Sequence, residues 1–147
     1  MNERDPELYG TDDTVRDLLQ DTQTWFVVGL GTDTTRAAYS TASFLQRNGK
    51  RIVPIHPRAE VVLGEQGYKT IAEAAAAVGR PDVVDMFVNS SRVGAMAREA
   101  IEFAPKGIWF QLEVVDEEAA AEVRAAGIDI VMDRCPAIEW PRLGPAA

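Results

Sequence analysis

Between Val28 and Ala37 the chain reads Gly-Leu-Gly-Thr-Asp-Thr-Thr-Arg, an apolar run broken by two glycines and then a polar loop. Gly29 and Gly31 carry no Cβ, so the backbone there turns tightly and approaches a ligand closely. A helix starting near Thr35 would present unpaired N–H groups and a partial positive charge to that loop. Leu30 lies between the glycines, Thr32 and Thr34 add hydroxyls, and Arg36 adds a planar fork of donors suited to phosphate oxygens. The chemistry is that of an anion cradle. The competing reading is a tight strand-to-helix turn, capped by Asp33 or Thr34, with Arg36 in solvent.

The spacing G-x-G-x-x-T departs from a dinucleotide fingerprint, because Thr34 stands where the third glycine belongs. A dinucleotide site also calls for an acid at the end of the second strand, to bind ribose hydroxyls. This chain has Ile55-His56-Pro57-Arg58 there, a neutral-to-basic set suited to a phosphate on or near the ribose. An NADP-type site stays open on that basis, as does a structural role in which His56 bonds to backbone and Arg58 is a solvated charge.

Three further loops carry polar groups. Asn89, Ser90 and Ser91 open a helix, where N-capping is their first expected duty and ligand contact a second. Gln111 follows the fourth strand as either a pocket residue or a polar group at the sheet edge. Asp133 and Arg134 read as partners in local hydrogen bonds or an ion pair, and Cys135 as either a pocket thiol or an inert buried group. His56 is the only histidine and Cys135 the only cysteine, so a multi-histidine metal site, a zinc cluster and an intrachain disulfide are all excluded within one chain. No catalytic constellation is visible.

The elements that must hold these loops alternate regularly. Trp25–Val28, Arg51–Ile55, Val83–Val88, Gly107–Leu112 and Ile128–Met132 read as strands. Helical segments at 12–20, 36–48, from Thr70 to Gly79, from Ser90 to Ala104 and 116–126 separate them. Thr70-Ile71-Ala72-Glu73 is a capping box. Val93, Met96, Ala97, Ala100, Ile101 and Ala104 form one apolar helical face. The strands are continuous apolar runs, which indicates a parallel sheet covered on both faces. The expected fold is α/β: a doubly wound, Rossmann-like sheet of five mainly parallel strands with helices on both faces. Ligands then collect outside the carboxyl ends of the strands, where all the loops above lie.

At 147 residues, with 46% hydrophobic and 26% charged side chains, the composition is that of an ordinary globular domain. Residues 1–10 are expected to be a flexible tail, 11–143 a single domain, and 144–147 a second tail. The proline-rich stretch from Asp133 onward reads as irregular. A net charge of −8, from 15 basic and 23 acidic residues, argues against a general nucleic-acid or membrane-surface binder. The acidic N-terminal residues read as neither signal nor transit peptide. No apolar run approaches the roughly 20 residues that span a bilayer. A cytoplasmic protein is expected.

Taken together, these segments resemble the small bacterial CoA-binding proteins, whose Rossmann-type fold is similar to the CoA-binding domain of the succinyl-CoA synthetase alpha subunit. The resemblance runs from about Val15 to Leu143. It is carried by VVGLGTDTTRAAY, FLQRNGKRIVPIHPR, VLGEQGYKTIAE, VDMFVNSSRV and the C-terminal third from GIWFQL through VMDRCP to the tryptophan-containing tail. It implies that Gly29, Leu30, Gly31, Thr32, Asp33 and Thr34, with Arg36, hold the phosphates of coenzyme A or an acyl-CoA. His56, Pro57 and Arg58 would lie around the nucleotide, and Asn89, Ser90 and Val93 would flank the adenine or pyrophosphate. Where many members place an arginine and proline after the phenylalanine, this chain has Val88 and Asn89, which removes a cation; Arg92 is the nearest replacement. The resemblance carries over no reaction. It implies a non-catalytic binding module, with two alternatives: an NAD(P)-binding oxidoreductase-like protein, or the binding half of an acyl-CoA ligase that needs a partner subunit. A protein partner is otherwise left open.

Overall fold

The structure, a computed structural model, describes residues 4–146. The tail positions 1–3 and 147 lie outside the described residues. Five strands, β1 (Thr24–Val28), β2 (Arg51–Ile55), β3 (Val83–Met86), β4 (Gly107–Phe110) and β5 (Asp129–Val131), form one sheet in the order β2-β1-β3-β4-β5. Every pairing is parallel, which bears out the doubly wound α/β expectation. The strands are shorter than their apolar runs suggest. Phe87, Val88, Gln111, Leu112 and Met132 extend past the last ladder pairs and become loop residues at the carboxyl edge.

Two apolar layers hold the sheet. Phe26, Val28, Val53, Val84, Met86, Ile108 and Phe110 pack on one face, under α4 (Ile71–Val78), α5 (Ser90–Ile101) and α6 (Glu117–Ala125). Trp25, Val27, Ile52, Val83, Trp109 and Val131 pack on the other, under α2 (Asp12–Gln20), α3 (Ala37–Arg47) and α7 (Pro136–Leu143). The Trp25 and Trp109 rings meet at 5.7 Å. Burial of such rings dominates core energetics. The Thr70 cap forms as expected, its hydroxyl accepting from the Glu73 amide at 3.0 Å.

Two segments expected to be irregular are helical. Pro6–Tyr9 form α1, with Asp5 as its cap, and Tyr9 is buried in the layer under α4, α5 and α6 with its hydroxyl donating to Glu117 at 3.0 Å. Pro136–Leu143 form α7, because Pro136 occupies the first turn, where its missing N–H costs nothing. Pro141 sits inside that helix, and Trp140 packs edge-on against Phe44 at 5.5 Å. Tertiary burial outweighs the low propensity there. No helix among the described residues is long and apolar enough to cross a membrane.

Candidate functional site

β1 leads through α3 to β2 on one side, while β2 returns through α4 to β3 on the other. The loops after β1 and β3 therefore part at the carboxyl edge and leave a crevice between them. Gly29 makes this possible. Its φ is 96°, and a Cβ there would lie 2.2 Å from the Phe87 carbonyl oxygen. No other residue type fits so close an approach. Phe87 in turn donates its N–H to the Val28 carbonyl at 2.9 Å.

Two cavities meet at this point, sharing Gly29 and Arg36. One, of about 260 Å³, is lined by Gly29, Gly31, Thr32, Asp33, Arg36, His56, Arg58 and Glu60. The other, of about 290 Å³, runs between the β1 and β3 loops. Arg36, Ala37, Ala38 and Thr41 wall it on the α3 side, Phe87, Val88 and Asn89 on the β3 side, and Gln111, Leu112, Val114 and Cys135 beyond. Apolar walls with a few polar groups are the usual character of a small-molecule site.

The polar loop closes in the tight turn that the sequence allows, with Arg36 exposed. Asp33 accepts from the Thr35 amide at 2.9 Å and from its hydroxyl at 2.6 Å, closing a turn ahead of α3. Those bonds, with Arg36 nearby, hold the Asp33 carboxyl below its ordinary range. The helix then starts one residue later than the expected 36–48, with Arg36 at its N-cap and no side chain capping it. The Ala37 and Ala38 amides accordingly take no acceptor from the chain among the described residues, and both residues line the larger cavity. The Arg36 side chain is exposed and makes no ion pair among the described residues. His56 is held by its neighbours: its Nδ1 accepts from the Arg58 amide at 3.2 Å, and its own amide donates to the Tyr68 carbonyl at 2.9 Å. That leaves Nε2 as the free donor beside Gly31, where an added Cβ would come within 3.0 Å of the ring.

Some of the residues singled out lie elsewhere. Leu30 is buried in the α3-side core and Val93 in the α5-side core. Thr34 and Pro57 are exposed turn residues outside both cavities. Ser90 does not cap α5. Its hydroxyl donates to the Glu113 carbonyl at 3.1 Å and accepts from the Val115 amide at 2.9 Å, tying the β3 and β4 loops together. Asn89 is the N-cap residue but makes no side-chain capping bond, so its amide group stands at the cavity wall. Arg92 is exposed and lines neither cavity, so the cation missing at Val88–Asn89 is not restored from there. Arg134 turns away to bond the Tyr9 and Gly10 carbonyls and Glu139.

Sequence reasoning passed over three site groups. Glu60 brings an acid into the smaller cavity, five residues past the strand end. Thr41 lies within 3.9 Å of the Cys135 sulfur at the far wall of the larger one. Asp85 is fully buried on β3 behind Gln111, whose Nε2 donates to its Oδ1 at 2.5 Å. Burial pushes the Asp85 carboxyl up to about 7, against the lowering effect of that hydrogen bond. No cluster of three or more potential metal ligands occurs among the described residues.

This is the carboxyl-edge crevice of a doubly wound α/β domain. Residues 23–141 match the CoA binding domain family, and the chain belongs to that family. It is 27% identical to the uncharacterized protein YneT of Bacillus subtilis over 121 residues, 82% of this chain and 87% of YneT. It superposes on a hypothetical protein from Pyrococcus horikoshii with a TM-score of 0.85 and 29% identity, covering 97% of this chain and 99% of that one. A dinucleotide-forming acetyl-coenzyme A synthetase from Ca. Korarchaeum cryptofilum shares the fold at a TM-score of 0.67 and 17% identity. There 84% of this chain is covered but only 28% of the synthetase.

Proposed function

We propose that this chain binds coenzyme A or an acyl-CoA without catalysing a reaction on it, across the crevice between β1 and β3. The phosphates sit at the Gly29–Arg36 loop, where the free Ala37 and Ala38 amides and the Arg36 guanidinium supply hydrogen bonds and positive charge. His56 and Arg58 face the nucleotide end from the smaller cavity. The pantetheine arm follows the larger, more apolar cavity past Asn89 toward Gln111 and Cys135. The observation that carries this reading is the meeting of a polar and an apolar cavity at Gly29 and Arg36. That division matches a ligand with a charged nucleotide head and a long, weakly polar arm. Membership of the CoA binding domain family supports the same ligand.

Titration calorimetry with CoA, dephospho-CoA, NAD and NADP tests the proposal. CoA binding with weaker dinucleotide binding is expected. No response to CoA at millimolar concentration overturns it. Glu60 gives the NAD arm of that experiment a specific motive, since it adds an acid to the cavity after β2, and dinucleotide sites use an acid in that region for ribose hydroxyls. Tighter binding of NAD than of CoA would replace the proposal with the dinucleotide reading.

A further inference from the structure

Asp85 is the least expected residue in the core. It occupies β3 between Val27 of β1 and Trp109 of β4, pairs that are apolar, and it is fully buried. Its Oδ2 is a buried side-chain oxygen with no hydrogen-bond partner, the single such atom among the described residues. An unpartnered buried polar group is costly, and an apolar side chain of similar size would stabilise this position. The carboxyl's one bond, at Oδ1, goes to Gln111.

That bond orients the Gln111 amide. One N–H of Nε2 points inward to Asp85, and Oε1 accepts no hydrogen bond from the chain among the described residues. Gln111 is only 4% exposed, yet it lines the larger cavity. Its oxygen, which takes no partner from the chain, is the acceptor it can offer there. The same arrangement holds for the carboxylate and for the neutral acid with its proton on Oδ2, because Oδ1 accepts in both.

We infer that Gln111, held in one orientation by Asp85, is a specificity residue that accepts a hydrogen bond from an amide N–H of the pantetheine arm. The inference rests on the CoA reading of the crevice and assigns one part of the ligand to one atom. An amide N–H fits better than the terminal thiol, because S–H is a weak donor. Ligands whose chain at this depth offers only acceptors would leave Gln111 Oε1 facing another acceptor, and a site that hydrogen-bonds one partner rejects analogues lacking it. Gln111 touches the ligand, and Asp85 is a positioning residue that acts through it.

The test separates the arm from the head. Dissociation constants for CoA and for adenosine 3′,5′-bisphosphate, which lacks the arm, are measured by calorimetry for the wild type and for Gln111→Met. CoA binding is expected to weaken about tenfold, the worth of a buried hydrogen bond, with the bisphosphate unchanged. Asp85→Asn keeps an acceptor for Nε2 and is expected to retain wild-type affinity for both probes. Asp85→Leu is expected to reproduce the split seen in Gln111→Met. Gln111→Leu serves as the second variant, so the result does not hang on one chain folding. Equal weakening of both probes, or none, in the Gln111 variants overturns the inference while leaving the CoA reading intact. A wild type that binds neither probe overturns both.

Discussion

The α-carbon of Gly29 faces the Phe87 carbonyl so closely that a methyl group there would lie 2.2 Å from the oxygen. This contact sets the width of the crevice, because it joins the ends of β1 and β3 at the point where their loops diverge. Gly29→Ala therefore faces two penalties, a positive φ of 96° and a steric clash with backbone. A loss of about 3 kcal/mol or more of stability is expected. Thermal melting checks it, and a variant melting within a degree or two of the wild type would show that the two loops are free to part.

Arg36 is the opposite case. Its side chain is exposed, caps nothing and pairs with no acid among the described residues. Arg36→Ala should leave the melting temperature nearly unchanged. CoA affinity should fall by about ten- to hundredfold, the worth of a hydrogen bond to a charged group. The wild-type preference should also shrink as salt is raised, since an exposed charge is screened. Calorimetry at two ionic strengths reads both effects. Unaltered CoA affinity in the variant would remove Arg36 from the site.

Cys135 provides a reporter with no background, as the chain contains no other cysteine. It lines the larger cavity opposite Thr41 and is half-buried. Saturating acetyl-CoA, which has no free thiol of its own, is expected to slow alkylation of Cys135 by iodoacetamide. Adenosine 3′,5′-bisphosphate, which fills only the polar end, should protect far less. Mass spectrometry of timed samples gives the rates. Equal rates with and without saturating acetyl-CoA would move the arm out of this cavity.

Much of this was legible in the amino-acid order. The five strands announce themselves because a sheet covered on both faces needs uninterrupted apolar runs, and the glycine loop because only Gly29 tolerates its backbone. The missed elements have equally physical reasons. α7 hides behind two prolines, one of which is harmless in a first turn. α1 is a single turn fixed by burial of Tyr9, which no local pattern encodes. Asn89 and Ser90 have capping side chains, but contacts from the β4 loop claim the Ser90 hydroxyl instead. Thr41, Gln111 and Cys135 become neighbours in one cavity only through the crossovers, as they are far apart in the chain. Asp85 did leave a signal: a lone acid inside VVDMFV, sharing the face of Val83 in a strand that has no exposed side.

That buried acid makes stability depend on pH in an unusual direction. Its carboxyl rises from an ordinary value of 3.8 when unfolded to about 7 when folded. Between those values the folded chain holds a proton that the unfolded chain releases, so raising the pH favours unfolding. The loss begins near the unfolded value, grows through the interval and levels off above about 7. It totals on the order of 4 kcal/mol if nothing else relaxes. Asp85→Asn cannot ionise, yet it keeps the acceptor for Gln111. It should match the wild type near pH 4 and exceed it in denaturant stability at pH 8, with the gap opening across the interval between. Parallel stability profiles for the two chains would mean that Asp85 is solvated or partnered, and that its orphaned oxygen is not the cost this position bears.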